Sequence, residues 1–158
     1  MSKRLIVLFA AVLALAIAAA GCGSSDDNSD STAAAAPTKA EFIKQGDAIC
    51  EKGSKAIEDG AEEFAEENDV DTENPTKAQQ EEVIVDVVAP GVREQAEGID
   101  ELGAPSGDEE EVEAIVAAVK GGAEELEDES GLLLEEENPL EKGAKLAGKY
   151  GFKACGQG

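Results

Sequence analysis

Residues 38–66 read TKAEFIKQGDAICEKGSKAIEDGAEEFAE, and the fold class follows from their spacing. Thr38 with Glu41 three residues on is a capping box: the hydroxyl takes a free helix N–H while the carboxylate reaches back to the cap. Phe42, Ile49, Gly53, Ile57, Ala61 and Phe64 then recur at threes and fours, apart from one longer step spanned by Gly46. That is the period of an amphipathic helix. Cys50 shares its apolar face with Ile49, and the pattern predicts a first helix from Thr38 to about Glu66.

The same period returns three more times. Asn68 to Pro75 is a loop by composition, and a second helix starts near Thr76 with Ile84, Val88, Val92, Gln95, Ile99 and Leu102 on one stripe. Val83, Val85 and Val87 widen that stripe, which predicts the most buried helix of the set. Pro90 lies inside it and should kink it, because proline removes a backbone hydrogen bond and crowds the preceding turn. Val83 to Val88 taken alone also suits a strand, but its Gln- and Glu-rich flanks favour helix. Gly103-Ala104-Pro105 breaks the chain, and Ser106 with Glu109 offers another capping box. Val112, Ile115, Val119, Ala123 and Leu126 form a third stripe, weakened by Gly121-Gly122 and ended by Ser130-Gly131, with Leu132 to Leu134 as a turn over the core. Asn138-Pro139 reads as N-cap and first residue of a fourth helix carrying Leu140, Ala144, Ala147 and Tyr150. Gly151 suits its left-handed stop, with apolar Phe152 beyond. Four such helices with mostly short connections predict an all-α fold, a small antiparallel four-helix bundle over residues 38–158. Several inward positions are Gly or Ala, so the helices should approach closely and bury little area each.

Upstream of the first helix the chain changes character. Lys3 and Arg4 precede an unbroken apolar run from Leu5 to Ile17, followed by small residues and Cys22. This is the layout of a secretory signal peptide, residues 1–21, too short for a confident spanning helix. Ala20-Gly21-Cys22 resembles the lipobox of bacterial lipoproteins, with Ala19 where Leu is usual. The resemblance implies a diacylglyceryl group on Cys22, palmitate-class acyl chains, and a protein lipid-anchored at the extracytoplasmic face of the cell membrane. Two acyl chains suffice for a firm anchor where one is marginal. Residues 22–37 would then be a lipidated tether; the Ser, Asp, Gly and Ala of 23–37 cannot support a core, and they reach roughly 20 Å as a flexible coil.

The formal charge of the whole chain is −23, and it becomes −25 once Lys3 and Arg4 leave with the leader. Nucleic-acid binding needs clustered Lys and Arg and is excluded as a reading. An anionic membrane surface would repel such a body, leaving Cys22 as its only membrane contact. The partners that this charge selects are basic proteins or divalent cations, although solubility alone accounts for much of it.

Chemistry is sparsely supplied. The chain has no His, no Trp, four Phe and one Tyr, so histidine acid–base catalysis and histidine metal ligation are ruled out. It holds no nucleophile elbow, phosphate loop or dinucleotide fingerprint. Its carboxylate pairs, such as Glu62-Glu63 and Glu124-Glu125, lie in ordinary charge runs. We expect no enzyme, no cofactor and no metal centre. Asp69-Val70-Asp71-Thr72-Glu73-Asn74 opens like a calcium loop, but Lys77 and Gln80 stand where that loop needs oxygen ligands. A solvated loop with weak, diffuse Ca²⁺ binding is the expectation. Tyr150 is expected at the core edge with its hydroxyl in water. With Cys22 assigned to lipid, Cys50 and Cys155 can form one disulfide in an oxidising compartment, or remain free thiols, or hold a metal.

Two segments resemble a family. Phe42-Ile43 with Asp47-Ala48-Ile49-Cys50, and Tyr150-Gly151-Phe152-Lys153-Ala154-Cys155-Gly156, are similar to the ends of the mature domain in small secreted lipoproteins of high-GC Gram-positive bacteria, which also carry a proline in a Val/Ile-rich second helix. The resemblance implies an extracytoplasmic helical domain with Cys50 bridged to Cys155, stapling the C-terminal tail to helix one, and it brings no assigned activity. The function expected is that of a non-enzymatic binding or interaction module of the cell envelope. The alternative is a small-ligand or calcium-binding accessory lipoprotein.

Overall fold

The computed structural model describes residues 36–134 and 138–156. The leader, Cys22 and the tether up to residue 35 lie outside the described residues. The elements are α1 (Lys39–Glu67), α2 (Lys77–Val83), a π-helical turn (Ile84–Val88), α3 (Ala89–Glu101), α4 (Glu109–Asp128), a 3₁₀ turn (Ser130–Leu134) and α5 (Glu141–Tyr150). No strand occurs among the described residues. Because α2, the π turn and α3 run on without a break, the domain is four helical rods, as the periodicity predicts.

The predicted box at the head of α1 forms in full: the Thr38 hydroxyl accepts the Glu41 N–H, and the Glu41 carboxylate accepts the Thr38 N–H at 3.0 Å. Thr76 and Gln79 build the same motif at α2. Pro90 does not simply kink its helix. The chain widens into one π turn just before it, and the Ala89 N–H reaches Ile84 five residues back. A five-residue step moves the Asp86 carbonyl off the ring that would otherwise strike it.

Three other expectations are corrected. Ser106 and Glu109 do not close a capping box; Asp108 is the N-cap of α4, and the Glu109 carboxylate instead accepts the Gly107 N–H at 2.7 Å. Asn138 is not the cap of α5, which starts after Leu140; its side-chain oxygen accepts the Leu140 N–H at 2.9 Å in a turn leading into the helix. The most buried helix is α4, with Val112, Ile115, Val116, Ala123 and Leu126 inside. Residues two apart point to opposite sides of a helix, so the valine run cannot all face inward, and Val83, Val85, Val87 and Val88 stay half-exposed.

The rods pair antiparallel, and their contacts give the register. Along α1 and its neighbour, Gly60 faces Val87, Ile57 faces Gly91, Gly53 faces Gln95 and Ile49 faces Gly98. Arg93 with Glu127 and Asp100 with Lys120 run oppositely between α3 and α4. Gly122 with Leu140 and Val119 with Gly143 do the same between α4 and α5. At each of these glycines an atom of the facing segment lies within 3.2 Å of where a Cβ would stand, so small residues set the spacing of the helices, as expected. Two apolar clusters result. One gathers Phe42, Cys50, Ile99, Ile115, Tyr150 and Phe152; the other joins Ile84, Ala89 and Leu126 under Leu133 and Leu140. No helix among the described residues is long and apolar enough to cross a membrane.

Candidate functional site

Cys50 and Cys155 are bonded, with Cα atoms 5.3 Å apart across a separation of 105 residues. The bridge therefore staples the C-terminal tail to α1. The neighbouring turns of α1 hold the same tail. Gly46 leaves room for the Phe152 ring, which would overlap a Cβ there. Asp47 accepts the backbone N–H groups of Lys153 and Ala154 through one carboxylate oxygen, both at 2.8 Å. Gly151 turns the chain at φ 124°, a conformation that strains any residue with a Cβ. Phe42, Tyr150 and Phe152 pack ring against ring, with centroids 5.5–6.0 Å apart. Residues 42, 46 and 50 lie one turn apart, so one face of α1 presents an aromatic ring, a socket and its half of the disulfide in series. The work of Asp47 goes beyond what the sequence predicts. Its signal was the spacing: a carboxylate three residues before a cysteine, on the face that the tail must cross.

Tyr150 departs from the expected wet hydroxyl. It is 8% exposed, and its OH donates to Asp108 at 2.8 Å. Lys39 lies 3.8 Å from the ring centroid and 3.2 Å from the same Asp108 carboxylate. Burial first, then the Asp108 carboxylate, pushes the phenol well above its ordinary value. The bond from Tyr150, followed by that from Lys39, lowers the Asp108 carboxyl. This corner ties the heads of α1 and α4 to the foot of α5, and each polar group is spent on another.

The acidic loop turns on itself. Asp71 accepts the Glu73 N–H at 3.1 Å, and its backbone carbonyl accepts the Asn74 N–H at 3.0 Å. No three metal-ligating side chains converge among the described residues.

Two hollows bear on ligand binding. A cavity of about 170 Å³ lies inside the bundle beside the disulfide, lined by Ile57, Ile99, Ile115 and Val119, with Ser54 and Gln95 as its polar side chains. It is smaller than the roughly 300–1,000 Å³ of ordinary ligand pockets. The other is an open groove of about 440 Å³ between α1 and the rod that follows it. Ile57, Phe64, Val87 and Pro90 form its apolar lining, and Glu63, Glu67, Asp86 and Glu94 stand along it. In a comparison with known proteins, the chain matches no family model, no curated protein and no solved structure.

Proposed function

We propose that this chain is a lipid-anchored lipoprotein of the extracytoplasmic membrane face, whose helical body serves as a non-enzymatic binding or interaction module. The observation that carries the reading is the leader: Lys3-Arg4, the apolar run from Leu5 to Ile17, then Ala20-Gly21-Cys22. A disulfide that closes the body fits export, since such bonds persist outside the reducing cytosol. The charge fits a body held off an anionic surface by its tether. The likeness of the two cysteine segments to secreted lipoproteins of high-GC Gram-positive bacteria points the same way.

The test is detergent-phase partitioning with mass spectrometry of the mature N-terminus. The wild-type protein should enter the detergent phase and carry diacylglyceryl on Cys22, and Cys22→Ser should leave it in the aqueous phase. A Cys22→Ser protein that is still processed and membrane-bound would overturn the reading.

A further inference from the structure

We propose that the groove between α1 and the π turn is a docking site for a basic amphipathic segment of another protein. The inference rests on the interaction-module reading and names the partner's chemistry. The groove combines three features. Its apolar lining is only partly used by the fold: Phe64 belongs to neither core cluster and is half-exposed, and Ile57 and Val87 stay half-exposed although they seat on glycines of the facing helix. Its charge is uncompensated: Glu63, Glu67, Asp86 and Glu94 are exposed, and none has a cationic partner among the described residues. Its walls are held in place, because Val87 seats on Gly60 and Ile57 on Gly91, and the π turn before Pro90 carries Asp86 and Val87.

Charge complementarity sets the sign of the occupant, and the layout of the charges sets its class. From Ala56 to Glu67 the α1 wall runs about 17 Å at 1.5 Å per residue. With the helices antiparallel, Glu94 stands near one end of that wall, Asp86 and Glu63 near its middle, and Glu67 at the other end. A compact cation meets one or two of these carboxylates. A segment of about three helical turns, with Lys or Arg spaced along it and apolar side chains facing inward, meets them all while covering Phe64.

The experiment is calorimetric titration of the mature chain in detergent with a short Lys/Leu peptide of amphipathic helical spacing, beside an equally charged all-Lys peptide. We expect saturable one-to-one binding of the Lys/Leu peptide and much weaker binding of the all-Lys peptide. Phe64→Ala should weaken binding about tenfold, as loss of a buried aromatic anchor does. The pair Glu63→Gln/Asp86→Asn should weaken it comparably, while Glu101→Gln/Glu113→Gln, equal in charge change but outside the groove, should leave it unchanged. Because Phe64 lies outside both cores, unchanged helical dichroism is expected of the variant, and the charge pair provides an independent check. Equal losses from both charge pairs would reduce the effect to diffuse attraction and overturn the proposal. So would a neutral Phe64→Ala, or equal binding of the all-Lys peptide. Any of these results would leave lipidation of Cys22 untouched, and a failed lipidation test would leave the groove untouched.

Discussion

Tyr150 shows how a single residue can be both core and cap. Its ring completes the aromatic cluster, and its hydroxyl binds the carboxylate that starts α4. The phenol is raised above its ordinary 10.0 by burial and by the Asp108 charge, so the folded state holds the proton more tightly than the unfolded chain does. The stability from this difference is fully present below pH 10.0 and is lost as pH rises toward the folded value. Asp108 acts in the opposite sense. Its lowered value contributes above pH 3.8 and is lost as pH falls through the folded value. The chain has one Tyr and no Trp, so the tyrosinate absorbance reports Tyr150 alone. In an alkaline titration that band should emerge above pH 10.0, together with loss of helical dichroism, and Asp108→Asn should bring it lower. A phenol ionising at its ordinary value in a fully helical protein would contradict the hydrogen bond to Asp108.

At the level of the helices, adjacent glycines in α4 have opposite roles. Gly121 has open space where a Cβ would stand, whereas at Gly122 a Cβ would lie 2.7 Å from the Pro139 carbonyl oxygen and 3.0 Å from the Leu140 side chain. Gly121→Ala should therefore stabilise the protein by about 0.5–1 kcal/mol through helix propensity alone. Gly122→Ala should destabilise it, since overpacking costs about 1–3 kcal/mol against the same gain, and the obstructing atom is backbone. Urea midpoints of the two variants check this, and a shift in the same direction for both would refute the close approach of α4 and the chain entering α5. From the sequence, Gly121-Gly122 reads only as a weak point in a helix. Telling the two apart requires knowing which face of α4 meets a neighbour, at a resolution of one residue.

Over the whole molecule, the largest single constraint is the bridge between Cys50 and Cys155. It closes a loop of 105 positions around nearly the entire domain. On the chain-entropy model a loop of this size corresponds to about 4.7 kcal/mol, and measured losses usually run about 2–5 kcal/mol. Phe42 and Leu126 are the largest fully buried side chains among the described residues, a core thin enough for the bridge to matter. Cys50→Ala/Cys155→Ala should lower the urea stability by several kcal/mol while the domain stays helical, because Asp47 and Phe152 still dock the tail. A double variant as stable as wild type would place the stability in the apolar clusters instead.

The all-helical class, the four rods and the stop at Gly151 were legible in the sequence, because the period of apolar side chains and the φ available to glycine are local properties of the chain. The bridge was legible only as what the likeness of the two cysteine segments to secreted lipoproteins implies; the residues alone left Cys50 and Cys155 as a disulfide, free thiols or metal ligands. The capping boxes were legible only where the helix starts at the expected residue. At Thr38 the local bond formed; at α4 the N-cap is Asp108, so Glu109 is the first helical residue and its carboxylate takes the Gly107 N–H instead. Tertiary contact alone decided the rest: Asp47 holding the tail through two backbone N–H groups, α4 rather than the valine-rich rod taking the centre, and a π turn absorbing Pro90. It also left Phe64, which carries the period of the core face of α1, half-exposed and lining an open groove. Periodicity marks the side of a helix that is apolar; whether a neighbour covers it depends on where the other rods end.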